Sequence, residues 1–197
     1  MPPSDLVPPG PYEIGGWAMT AWQYVEHEPG IVPAADASFA ALDELHAALR
    51  GYPDELPFLE PAADDLDRAI AFGVGEGLIE RSRAADLRAH RDEVLAEVLG
   101  ATTAPQALHG DAFPKNSLVT ESGIVWIDLE DSCSGPLAWD LATWLRRVPD
   151  ERIAATVRRR HGSEALESAT VLRGLQEEVW RVLHDARIEG RLTRVGC

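Results

Sequence analysis

LHGDAFPKNSLVTESGIVWIDLEDSCSGPLAWDLA, residues 108–142, concentrates the chemistry of this chain. An apolar lead-in reaches His109-Gly110-Asp111, and Asn116 follows five residues after Asp111. Ser117 to Thr120 reads as a strand, Glu121-Ser122-Gly123 as a turn and Ile124 to Ile127 as the returning strand, with Asp128 just past its end. Gly135-Pro136 marks a loop, and Trp139-Asp140-Leu141-Ala142 opens an apolar helix. A tight hairpin between Asn116 and Asp128 brings the second carboxylate back beside the first. Asp111 can accept a proton from a hydroxyl. Asn116 can offer an amide oxygen, and Asp128 a carboxylate, to a hard cation that keeps part of its water shell. Phosphoryl transfer asks for this set of groups. The plainer reading is a hairpin between helices whose two aspartates and one asparagine are turn formers. The order, spacing and strand-turn-strand context together weigh against it.

The layout His109-Gly110-Asp111, four residues, Asn116 and a later Asp128 is similar to a protein-kinase catalytic loop, which runs His-Arg-Asp, four residues, Asn and then a metal-binding Asp. Three features resemble the aminoglycoside phosphotransferase and choline kinase family more closely. Gly110 stands where arginine would be, Ile127-Asp128-Leu129-Glu130 replaces Asp-Phe-Gly, and the tail reads Gly135-Pro136-x-x-Trp139-Asp140-Leu141-Ala142. The resemblance implies a protein-kinase-like fold and transfer of phosphate from ATP or GTP, with Mg²⁺, to a hydroxyl of a small molecule. It implies Asp111 as catalytic base, Asn116 and Asp128 as metal ligands, Asp140 as the brace of the catalytic loop and His109 as a structural member of it.

Composition sets the bounds. The 197 residues suit one domain, or one large lobe with an appendage, and 45% hydrophobic residues suffice for a core. No apolar run is long enough to span a membrane, and the proline-rich start is no signal peptide. Two cysteines, Cys133 and Cys197, make no disulfide framework and read as free thiols of a reducing cytoplasm. The net charge of −15 argues against nucleic acid as a partner. That acidity reads as a solubilising surface, or as a field drawing in a cationic acceptor such as an aminosugar or quaternary amine.

Lys115 is the only lysine. Kinase folds grip the triphosphate partly with a lysine of the N-terminal sheet. Lys115 lies inside the catalytic loop and cannot fill that role, and no glycine-rich phosphate loop precedes it. The chain is therefore expected to lack most of the nucleotide-binding lobe, through an internal start, a domain truncation or decay to a remnant. The expected fold is α+β and mostly helical. Residues 1–30 would be a residual N-lobe hairpin and hinge, and residues 31–197 a helical C-terminal lobe with the catalytic loop at 108–142.

Met1 to Pro11 is proline-rich and reads as extended. Tyr12 to Ile14 and Trp17 to Val25 read as a hairpin about Gly15-Gly16. By analogy with the family's hinge, Gln23, Tyr24 and Val25 are candidate nucleotide neighbours; an apolar hairpin packed on the helices is the equal alternative. A helix is expected over Asp36 to Leu49, capped by Asp36 or Ser38, with His46 a core or loop-bracing histidine. Another is expected over Asp64 to Phe72. Gly73-Val74-Gly75-Glu76-Gly77 then reads as a helix end, since it follows no strand. Ile79 to Leu99 is a long amphipathic helix with a partly buried His90, ended by Gly100. Leu141 to Arg147, Glu151 to His161 and Glu164 to Ile188 follow as helices. Arg158-Arg159-Arg160 reads as a solvated face. Val171 and Leu175 are core candidates, Trp180 and His184 read as packing residues with the substrate side, by analogy with the family's C-terminal helices, as the alternative, and Gly190 to Cys197 frays. Two functions remain in view: a small-molecule kinase lobe, and a non-catalytic lobe that binds a ligand or another chain. Metal-dependent hydrolysis lacks the second carboxylate–histidine cluster that a two-metal site needs.

Overall fold

The structure, a computed structural model, describes residues 3–8, 10–102, 104–148 and 150–192. Cys197 and the end of the expected frayed tail lie outside them, as do Met1, Pro2 and Pro9. The order is β1 (Tyr12–Ile14), β2 (Trp17–Met19), α1 (Ala35–Leu49), α2 (Asp64–Gly75), α3 (Arg81–Ala101), β3 (Gln106–Leu108), β4 (Ser117–Thr120), β5 (Gly123–Trp126), β6 (Cys133–Gly135), α4 (Ala138–Arg147), α5 (Glu151–His161) and α6 (Ser163–Ile188). This is the α+β, mostly helical architecture expected from the sequence.

The long helix α6 is the spine, with α2, α3, α4 and α5 all packed against it. Its 26 residues span about 39 Å. Its C-terminal half, with α2 and α3, buries Leu66, Ile70, Leu87, Val179 and Leu183. A second cluster joins α1, α4 and α5 through Leu42, Leu141, Trp144, Val157 and Leu166. A third joins α3, β3, β6, α4 and α6 through Leu59, Val94, Leu108, Trp139 and Leu172. Trp126, Trp139 and Trp144 are buried with their indole N–H groups satisfied, by Ala41 O at 3.1 Å, Gly110 O at 2.7 Å and Ser38 Oγ at 3.0 Å. Burial of a donor is tolerable only with such a partner.

The strands form three two-stranded antiparallel sheets. In β4–β5 the register pairs Ser117 with Trp126 and Thr120 with Gly123. The β3–β6 pair, Leu108 opposite Cys133, has no counterpart in the sequence reading, which took residues 133–136 as loop. Three-residue strands leave too little alternation to see. The pair draws both ends of residues 109–132 together. Gly135 leaves room there for Leu59: a Cβ would lie 2.7 Å from Leu59 Cδ2 and push that side chain aside.

Several boundaries differ from expectation. β2 stops at Met19, so the expected strand to Val25 is cut short. The segment then runs on through a Trp22–Pro3 bridge to Glu28, whose N–H donates to Val119 O of β4 at 3.0 Å. Neither Asp36 nor Ser38 caps α1: the N-cap is Ala34, and Ser38 is buried inside the helix, accepting from Trp144. Gly73 and Gly75 belong to α2, where Gly73 allows the close approach of Ile79. Gly100 lies inside α3, which ends at Ala101. His90 and Val171 are exposed rather than buried, because each falls on the solvent side of its helix.

Candidate active site

β3 delivers His109-Gly110-Asp111 to the junction of the last two core clusters. Asp140, in the first turn of α4 and fully buried, accepts from His109 N and Gly110 N, each at 3.0 Å. His46 of α1 completes the arrangement, its Nε2 3.0 Å from Asp140 Oδ2. Charge-assisted bonds of this kind are about twice as strong as neutral ones. Trp139 takes the Gly110 carbonyl, so both peptide groups flanking Gly110 are held. Gly110 sits at φ +89°, and a Cβ there would collide with the backbone carbonyl of Asp131. Glycine at this position is thus set by both conformation and space.

His109 is fully buried, and burial depresses its pKa, outweighing the opposing pull of Asp140. The ring is therefore neutral. Its Nε2, 2.9 Å from Ile127 O, carries the proton, and Nδ1 faces the Asp111 amide at 3.4 Å. An edge contact with Trp126, with centroids 5.4 Å apart, completes its packing.

Asn116 ends a 3₁₀ turn, Pro114–Asn116. Its Nδ2 donates to Asp111 Oδ2 and to Asp111 O, both at 2.9 Å, which uses both amide hydrogens and turns Oδ1 away. Its backbone carbonyl accepts from Ile127 N at 2.9 Å, extending the β4–β5 register by one step and bringing Ile127, the residue before Asp128, opposite Asn116. Asp128 is exposed and adopts the left-handed conformation, φ 63°, ψ 56°. Strained backbone of this kind persists only where the surroundings over-determine it. Among the described residues no three His, Cys, Asp or Glu side chains converge on one metal-sized volume. Of the three residues expected to serve as base and metal ligands, Asn116 contacts Asp111 through its amide nitrogen, and Asp128 lines a separate cleft.

Two clefts draw on consecutive parts of the segment 126–131. One, of about 490 Å³, is lined by Ala18, Thr20 and Trp22 on one side and by Trp126 to Glu130, Asp128 included, on the other. Gln23, Tyr24 and Val25 are not among its lining; Tyr24 is 82% exposed. The second, of about 600 Å³, opens on Asp111 and reaches along α6 to Trp180, Arg181 and His184. Trp180 and His184 are exposed cleft residues, which favours the substrate-side alternative over packing.

Three further residues escaped the sequence reading. Arg173, buried between Leu172 and Leu175, pairs through Nη2 with Asp111 Oδ1 and lies 5.2 Å from the Trp139 ring. Burial lowers its pKa to about 10. Glu177 lies 2.6 Å from Arg146 and 3.3 Å from Arg147, which hold its pKa low although burial pushes the other way. Asp131 is pushed up to about 6, first by burial and then by Asp65, Glu130 and Asp128. An arginine in the middle of an apolar helical run was the available signal for Arg173. The other two carry none.

The model of the phosphotransferase enzyme family, APH, matches residues 9–177, and the chain belongs to that family. Among solved structures it is similar to the choline kinase LicA from Streptococcus pneumoniae, at 15% identity and a TM-score of 0.58, over 82% of this chain and 61% of that one. A thermostable mutant of aminoglycoside phosphotransferase APH(4)-Ia in apo form gives 18% identity and 0.52, over 80% and 63%. The amicoumacin kinase hAmiN, solved in complex with AMP-PNP, Ca²⁺ and Ami, gives 13% and 0.58, over 81% and 56%. These likenesses establish the fold, the C-terminal lobe of a kinase-like architecture. The chain spans about 60% of the length of the structures it matches. No curated protein matches it significantly.

Proposed function

We propose that this chain transfers the γ-phosphate of a nucleoside triphosphate to a hydroxyl of a small molecule. The observation that carries the reading is the pair of clefts drawing on the segment 126–131: one is lined by Asp128, the other by Asp111, to which Asn116 is bonded. The donor would lie in the first cleft and the acceptor in the second. Asp111 receives the hydroxyl proton, the hydroxyl oxygen bonds to the γ-phosphorus, and the β–γ bridging bond breaks with its electron pair leaving on the nucleoside diphosphate. Asn116 Oδ1 and Asp128 would hold Mg²⁺, which supplies charge neutralisation on the donor phosphates. Asp140, His46 and Trp139 fix the loop from behind, so placement of Asp111 supplies most of the chain's own contribution. Residues 1–30 would act as hinge and hairpin over a lobe formed by 31–197. Ala18, Thr20 and Trp22 are better placed than Gln23, Tyr24 and Val25 to touch the nucleotide. A buried free thiol at Cys133 and dependence on ATP suit a cytoplasmic setting.

A second reading, a lobe that binds but does not transfer, draws on one observation: Lys115, the single lysine, is exposed on the catalytic loop and offers no grip on the α- and β-phosphates. The test is incubation of the full chain with radiolabelled ATP, Mg²⁺ and a panel of hydroxyl compounds. Transfer lost in Asp111→Asn and in the exposed-site variant Asp128→Asn supports the kinase. Calorimetry that detects no nucleotide binding to folded protein would leave the binding lobe.

A further inference from the structure

Both carboxylate oxygens of Asp111 are engaged: Oδ2 by Asn116 and Oδ1 by Arg173. A general base needs an oxygen within about 2.6–3.2 Å of the proton it takes. The Arg173 contact therefore occupies the position that an acceptor hydroxyl must reach. Arg173 itself is 5% exposed, its Nη1 is spent on Gln176, and its Nε is buried with no acceptor. A buried guanidinium short of acceptors is a costly arrangement unless a ligand supplies one.

The rest of this cleft points the same way. Glu177, the carboxylate nearest the middle of the α6 face, is already shared by Arg146 and Arg147. Arg181, one turn further along α6, has no carboxylate within ion-pair distance among the described residues, and His184 follows it. In a chain of net charge −15, the acceptor cleft thus gathers Arg147, Arg173 and Arg181. The acids of the same cleft are Asp111, masked by Arg173, Glu177, shared by Arg146 and Arg147, and Asp131 at its edge. Among the described residues an ammonium group would thus find only Asp131 unpaired, whereas an anion would find Arg181 free and Arg173 short of acceptors.

We infer that the acceptor is a hydroxy-carboxylate, whose carboxylate lies close to the reacting hydroxyl and replaces Asp111 as the partner of Arg173. The flat guanidinium matches a carboxylate in two parallel bonds. Its transfer to the incoming carboxylate releases Asp111 Oδ1 toward the hydroxyl, so the base is freed only when the right acceptor is seated. This inference rests on the phosphotransferase reading for the identity of the cleft. It replaces the cationic acceptor that the acidity of the chain suggested.

The test uses three polyols of one skeleton: gluconate, sorbitol and glucamine. They are titrated calorimetrically into the full chain, without nucleotide, at constant ionic strength. Gluconate is expected to bind about tenfold or more tightly than sorbitol, the size of one charge-assisted pair, and glucamine more weakly than sorbitol. Arg173→Gln is expected to abolish the preference for gluconate over sorbitol. If that variant fails to fold, the exposed Arg181→Gln decides, with a loss of severalfold in gluconate affinity alone. Equal binding of the three, preference for glucamine, no gluconate binding at 20 mM, on the order of ten times a millimolar constant, or a preference unmoved by the deciding variant would each overturn the inference. Phosphate transfer to glucamine would sink it and leave the kinase standing. Gluconate binding that needs Arg173, in a chain that never transfers phosphate, would do the reverse.

Discussion

Asp140→Ala tests the bracing of the catalytic loop most directly. The carboxylate accepts from two backbone amides and from His46, all at 3.0 Å, and both Asp140 and His109 are fully buried. Truncation leaves the N–H groups of His109 and Gly110 without a partner in a site that a methyl group cannot fill. Each orphaned donor costs about 1–3 kcal/mol, and removal of a buried charge returns part of the total. The net loss is expected at about 3–5 kcal/mol, a large share of the roughly 5–15 kcal/mol that holds a domain of this kind. In urea, with a slope of about 2–3 kcal/mol/M, the unfolding midpoint should fall by roughly 1.5 M. Asp140→Asn keeps one acceptor oxygen and should lose about half as much. A midpoint shift below about 0.4 M in Asp140→Ala, with an unchanged slope of that size, would refute the claim that this carboxylate carries the loop.

The remaining expectations concern neighbouring groups. Gly110→Ala sets a methyl against the Asp131 carbonyl at φ +89° and should cost more than about 2 kcal/mol; a thermal melt matching the parent would show that the two loops are not in contact. Asp131, pushed up from 3.8 to about 6, binds its proton more tightly folded than unfolded. Its contribution is therefore fully present below about pH 4 and lost as pH climbs through 6, at most about 3 kcal/mol. Asp131→Asn should accordingly raise the melting temperature at pH 8 and not at pH 4, and equal melts at pH 8 would count against it. Cys133 is buried and its thiol is pushed far upward, first by burial and then by Asp140 and Asp131. Mass spectrometry should find it unalkylated in native protein and alkylated in urea; modification at the native rate of a surface thiol would contradict its burial.

The helices and the β4–β5 hairpin were legible because each carries enough residues for its period to show. Asp111, Asn116 and Asp128 read as a spaced set in the sequence; the structure bonds Asn116 to Asp111 and returns the chain to Ile127, opposite Asn116, through one hairpin register. What escaped was whatever depends on a partner far away in sequence. Arg173 lies 62 positions from Asp111, and nothing local announces that pairing. The β3–β6 ladder escaped because strands of three residues take their stability from Leu59, Leu108 and Trp139 behind them. Ser38 read as a cap because serine favours that place, whereas the burial of Trp144 required an acceptor just there. His90 misled because its helix is nearly without amphipathic contrast.

The short ladder between Leu108 and Cys133 works as the neck of a purse: it pinches together the two ends of the stretch from His109 to Ser132, whose hairpin tip at Glu121 to Gly123 lies out in water. Relatives of this chain could therefore lengthen that tip by several residues without disturbing the drawstring. A single residue added on either side of the ladder, by contrast, would misalign the proposed proton acceptor and both candidate magnesium ligands at one stroke.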